Sequence, residues 1–74
     1  VTMQIEVVAY REGWDVIYEG ARYAESHHAS RDDAVVAGIE KARRDGVTLV
    51  ILDRDGRECA RTDYSAASAG AMLP

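Results

Sequence analysis

The residues best suited to chemistry in this 74-residue chain are the adjacent His27 and His28, the single cysteine Cys59 and the acidic run Asp53 to Glu58. Imidazole and thiolate are the usual zinc ligands, and a thiolate beside an imidazole is a nucleophile. The spacing argues against both. Neighbours in an extended segment point to opposite sides, so His27 and His28 do not converge on one metal. Cys59 has neither a base nor an oxyanion motif in its surroundings and reads as a small, half-buried strand residue. Asp53-Arg54-Asp55-Gly56-Arg57-Glu58 faintly resembles a calcium loop. It lacks a third acidic ligand before the glycine and a Glu at the right distance, and a tight turn accounts for Asp55 and Gly56. The expectation is therefore no catalytic residue, no metal and no cofactor.

Trp14, Tyr18 and Tyr23 could stack nucleobases if basic residues stood beside them. Arg11 and Arg22 are near in sequence, but so are Glu12, Asp15, Glu19 and Glu25. Trp14 and Tyr18 also alternate with Val16, which points to the core. The net charge is −4, from nine basic residues against thirteen acidic ones. Nucleic-acid affinity rests largely on phosphate neutralisation, so general binding of this kind is disfavoured. Arg11, Arg22, Arg43 and Arg44 are the contacts available to a nucleic-acid-binding alternative.

The elements that position these residues follow from pattern and punctuation. Met3 to Tyr10 alternates as a strand, Arg11-Glu12-Gly13 is a turn with Gly13 available for positive φ, and Trp14 to Tyr18 is a second strand. Glu19-Gly20 is a hairpin turn, Ala21 to Glu25 a weaker third strand, and Ser26 to Ala29 a connection. Ser30 caps a helix with Asp32 and Asp33 in its first turn, and Gly46 stops it. Val35, Gly38, Ile39 and Ala42 form its apolar stripe, flanked by Ala34 and Val36. Val47 to Leu52 is apolar on both alternation sets and reads as an interior strand. Asp53-Arg54-Asp55-Gly56 turns the chain, and Arg57 to about Tyr64 returns as an outer strand. The order β-β-β-α-β-β predicts an α+β two-layer sandwich, an antiparallel sheet with one helix on one face. One domain spans 1–65, and 66–74 is an Ala/Ser/Gly-rich tail. Val1-Thr2 reads either as a remnant or as a start codon translated as Val.

Gly13-Trp14-x-Val16, Ser30-Arg31-x-x-Ala34, the Leu49-Val50-Ile51 strand, and Asp55-Gly56 followed by Asp63-Tyr64-Ser65 recur here in one order. Together they resemble the small bacterial domain-of-unknown-function family 2188, over most of the chain from Met3 to Ser65. The resemblance implies a small strand-rich domain with one helix and supplies no catalytic residue.

One helix covers one face of a sheet. If it lies over Ile5, Val7, Trp14, Val16, Leu49 and Ile51, the other face presents Val8, Tyr10, Ile17, Val50 and Leu52. A contiguous apolar patch of that kind signals association. Small domains gain most from a second subunit, and a closed two-fold is the commonest assembly. The tail, through Ala66, Ala67, Met72 and Leu73, is the competing cover. The sequence thus reads as a non-enzymatic interaction module, a homodimer or a binder of another protein. Its single free cysteine and the absence of a membrane-spanning stretch or secretory signal at its start point to the cytoplasm.

Overall fold

The computed structural model describes residues 3–65. The elements run β1 (Gln4–Tyr10), β2 (Gly13–Tyr18), β3 (Ser26–His28), α1 (Arg31–Asp45), β4 (Thr48–Leu52) and β5 (Glu58–Asp63). They build one five-stranded sheet in the order β3-β2-β1-β4-β5, with α1 against β1 to β4. The α+β class and the single covering helix are as expected. The sheet is mixed rather than antiparallel, because β1 pairs with β4 in parallel, Gln4 with Thr48 through Val7 with Ile51. The helix makes this possible: it carries the chain back along the sheet, so β4 starts at the end where β1 starts.

Local chemistry sets the element ends. Ser30 Oγ accepts from the Asp33 amide at 3.1 Å, and Gly46 closes the helix at φ 67°. Left-handed backbone there strains any residue with a Cβ. In the β4–β5 turn, Asp53 Oδ1 accepts the Asp55 and Arg57 amides, both at 2.9 Å, and Gly56 takes φ 84°. The β1–β2 turn departs from expectation. Its positive φ falls on Arg11, at 56°, and Gly13 is already the first residue of β2.

The third strand also differs. Ala21 to Glu25 forms no strand, and Ser26–His28 does. Trp14 pairs with His28 and Val16 with Ser26, a register held by contacts that lie far apart in sequence. His27 Nδ1 meets Asp15 Oδ1 at 2.5 Å, and Ser26 Oγ meets His28 Nε2 at 2.8 Å. Cys59 is exposed, and it is the extra residue where pairing steps from Ile51–Ala60 to Leu52–Glu58. β5 is the edge strand and is exposed along its whole length, which is why the half-buried placement fails.

The core lies between sheet and helix: Ile5, Val7, Trp14, Val16 and Leu49 face Ala34 and Ala42. Burying each of the larger aliphatic side chains contributes about 1.5–3 kcal/mol. The buried stripe of α1 is Ala34, Gly38 and Ala42, one turn apart, with Val35, Ala37 and Ile39 partly buried beside it and Val36 exposed. Small residues allow the helix to approach closely. A Cβ on Gly38 would stand 3.0 Å from Val7 Cγ2 and 3.1 Å from Leu49 Cδ1. Tyr18 also packs against this core, and its hydroxyl donates to Asp45 Oδ2 at the helix C-terminus.

Candidate functional site

The face of the sheet away from α1 is assembled by register. Ile17 pairs with Glu6, Glu6 with Val50, and Val8 with Asp15, so these side chains share the side opposite Ile5, Val7 and Leu49. Val8, Ile17, Val50 and Leu52 thus form a band across β2, β1 and β4, with Tyr10 at its end. Their exposure is uneven. Val50 is 2% exposed, Val8, Ile17 and Leu52 are half-buried, and Tyr10 is 47% exposed. Among the described residues no element packs on this side, since the one helix lies on the other.

Charged groups frame the band. Arg61, opposite Val50, pairs with Glu58 through Nε at 3.1 Å and a second nitrogen at 2.8 Å. That hydrogen bond holds the Glu58 carboxyl below its ordinary value and the guanidinium above its own, with Glu19 and Glu6 adding to the latter. At the other corner, Asp15 is 9% exposed and is satisfied by His27. The His27 ring makes an edge contact with Tyr10 at 6.3 Å, and Arg11 lies 5.3 Å over the Tyr10 ring.

The two histidines take opposite faces, His27 beside Asp15 on the open side and His28 beside Trp14 on the helix side. Among the described residues no group of three His, Cys, Asp or Glu side chains is placed to hold a metal. A cleft of about 320 Å³ between α1 and the β2–β3 connection is lined by opposing charges, Glu25 and Glu40 against Lys41 and Arg44. Lys41 there is already engaged by Glu25 at 3.6 Å and Asp45 at 3.3 Å.

The four arginines of the nucleic-acid alternative are not brought together. Arg11 sits in the β1–β2 turn. Arg22 follows β2, and Arg43 and Arg44 lie in the last helical turn, at the opposite end of the sheet. Of the aromatic candidates, Trp14 is 6% exposed in the core and Tyr23 is 77% exposed. Sequence reasoning missed that Arg31 and Arg54 both reach Trp14, at 5.8 and 5.1 Å from its ring centroid. Thus Gly13-Trp14, Ser30-Arg31 and the turn holding Asp55-Gly56 meet at one end of the molecule. Their common order in the chain was visible, but not their meeting. The Asp15–His27 pair was missed too; its signal was a carboxylate in mid-strand, which needs a partner when buried.

A single helix on one face of a five-stranded mixed sheet defines a small α+β domain. The chain belongs to the bacterial family described as "Uncharacterized protein conserved in bacteria (DUF2188)", whose profile matches residues 5–64. No curated protein and no solved structure gave a match. No helix among the described residues is long and apolar enough to cross a membrane.

Proposed function

We propose that the chain is a non-enzymatic interaction module that self-associates through the open face of its sheet. The observation that carries this reading is the band of Val8, Ile17 and Leu52 on a face with no covering element among the described residues. Half-buried aliphatic groups in one band gain by losing their remaining contact with water. A tail docked on this face, the competing cover, involves residues that lie outside those described. The reading includes a cytoplasmic location, supported by the exposed free thiol of Cys59.

The frame of the face gives the reading a distinctive salt dependence. Glu6 lies on the open side of the central strand β1, between Ile17 and Val50, while Asp15 is engaged by His27 and Glu58 by Arg61. A two-fold contact brings the Glu6 carboxylates of two copies into one interface, so added salt strengthens it by screening. Nucleic-acid binding through Arg11, Arg22, Arg43 and Arg44 would weaken with salt, and it draws less support because those side chains occupy two ends.

Sedimentation equilibrium tests the proposal. A dimer is expected at about 500 µM, weakened tenfold or more by Ile17→Asp, which places a charge in the interface. Val50→Asp is the wrong probe, because Val50 is buried within the chain and the change would unfold it. A wild-type protein that stays monomeric at that concentration, in low and high salt, refutes self-association.

A further inference from the structure

Two arginines share one indole where β1 ends, β2 begins and the helix starts. The Arg31 guanidinium carbon lies 5.8 Å and that of Arg54 5.1 Å from the Trp14 ring centroid. Both are within the range of cation–π attraction, which holds the side chains in place without satisfying their N–H groups. The four ion pairs among the described residues involve neither of them. Arg31 Nε is buried and has no hydrogen-bond partner. A desolvated guanidinium N–H without an acceptor is costly and marks a place where an acceptor is wanted.

The nearby acceptors among the described residues do not fill that need. Asp53 Oδ1 is taken by the amides of Asp55 and Arg57, and Ser30 Oγ by the amide of Asp33. Asp32 and Asp33 are exposed on the first helical turn and form no ion pair with either arginine.

We propose that the Trp14–Arg31–Arg54 cluster binds a small phosphate-bearing anion. Each guanidinium presents a planar fork of donors that matches two phosphate oxygens. The amides of Arg31 and Asp32 at the helix start add donors of the right polarity. Two cations suit one phosphoryl group. A nucleic-acid backbone rewards an extended row of basic side chains, and this end instead carries Glu12, Asp32, Asp33, Asp53 and Asp55 among its arginines. Those carboxylates hold the affinity near the millimolar range.

Trp14 is the only tryptophan, so its emission reports on the site directly. Inorganic phosphate, titrated at constant ionic strength against sodium chloride, is expected to change that emission saturably with a Kd of about 1 mM. Arg31→Gln and Arg54→Gln each weaken binding about tenfold or more. Arg22→Gln, at the other end of the molecule, leaves it unchanged. In the wild-type protein the amide NMR signals of Arg31 and Asp32 shift with the same Kd, a readout independent of whether any variant folds. A phosphate response no different from chloride up to about 50 mM overturns the proposal. So does an unaltered Kd in a folded Arg54→Gln variant. A single-stranded oligonucleotide that binds more tightly than phosphate, with steep salt dependence, replaces the small anion by a nucleic-acid site.

Discussion

A Cβ on Gly13 would stand 2.4 Å from the carbonyl oxygen of His28 and 2.8 Å from Nε2 of His27. The first of these neighbours is backbone and cannot move without breaking the β2–β3 pairing. Gly13→Ala is therefore expected to destabilise the fold by about 2–3 kcal/mol, measured by urea denaturation. A change within about 0.5 kcal/mol would show that β3 yields at little cost. This glycine was legible as a special position but for the wrong reason. A glycine after Arg11-Glu12 suggests a turn needing positive φ, whereas Arg11 supplies that conformation. The actual constraint comes from a strand that approaches Gly13 from outside its own hairpin, which no local pattern reveals. The half-buried placement of Cys59 failed for a related reason: alternation along a strand does not say what covers it, and β5, at the sheet edge, is exposed at every position.

Elements with local punctuation were legible, and those fixed by distant pairing were not. The helix ends at Ser30 and Gly46 and the Asp53–Gly56 turn rest on residues within a few positions of each other. The strand Ser26–His28 rests on Asp15 and Gly13, across the β2 edge, while the better-looking Ala21 to Glu25 is exposed. The helix stripe was nearly right: Gly38 and Ala42 are buried as expected, and Ala34 rather than Val35 leads them. Its tight approach makes Gly38 the most informative position on the element. Gly38→Ala gains about 1 kcal/mol of helix propensity and loses a comparable amount by pressing on Val7 and Leu49, so its stability should stay near wild type. Gly38→Val adds bulk with no such gain and should cost about 2 kcal/mol or more in thermal denaturation. Equal stabilities of the two variants would mean that helix and sheet part easily.

For the molecule as a whole, the Tyr18–Asp45 bond ties the end of β2 to the end of α1 and links stability to pH at both extremes. Burial, and then the bond to Asp45, push the Tyr18 hydroxyl up from 10 to about 12. Its contribution is complete below pH 10 and is lost as pH rises from 10 to about 12. The hydrogen bond from Tyr18 holds the Asp45 carboxyl below its ordinary 3.8. That contribution is present above pH 3.8 and disappears as pH falls through the lowered value. Denaturation across pH should give a plateau with a decline on each side. Tyr18→Phe should flatten the alkaline decline and move the Asp45 carboxyl back up in a carboxyl NMR titration; an unmoved Asp45 would show that the bond does not form in solution. The apolar face away from the helix was legible from the double apolar pattern of Val47 to Leu52, because one helix has one side. The Arg31 and Arg54 cluster was not, since it joins three segments that meet only when β1 receives β4. That parallel pairing has a consequence in time. Strand β1 is synthesised before the helix and β4, yet it lies in the centre of the sheet. Until β4 emerges, the β1–β2 hairpin holds a bare hydrogen-bonding edge open to any other nascent chain, and speed of closure decides whether the chain folds or aggregates.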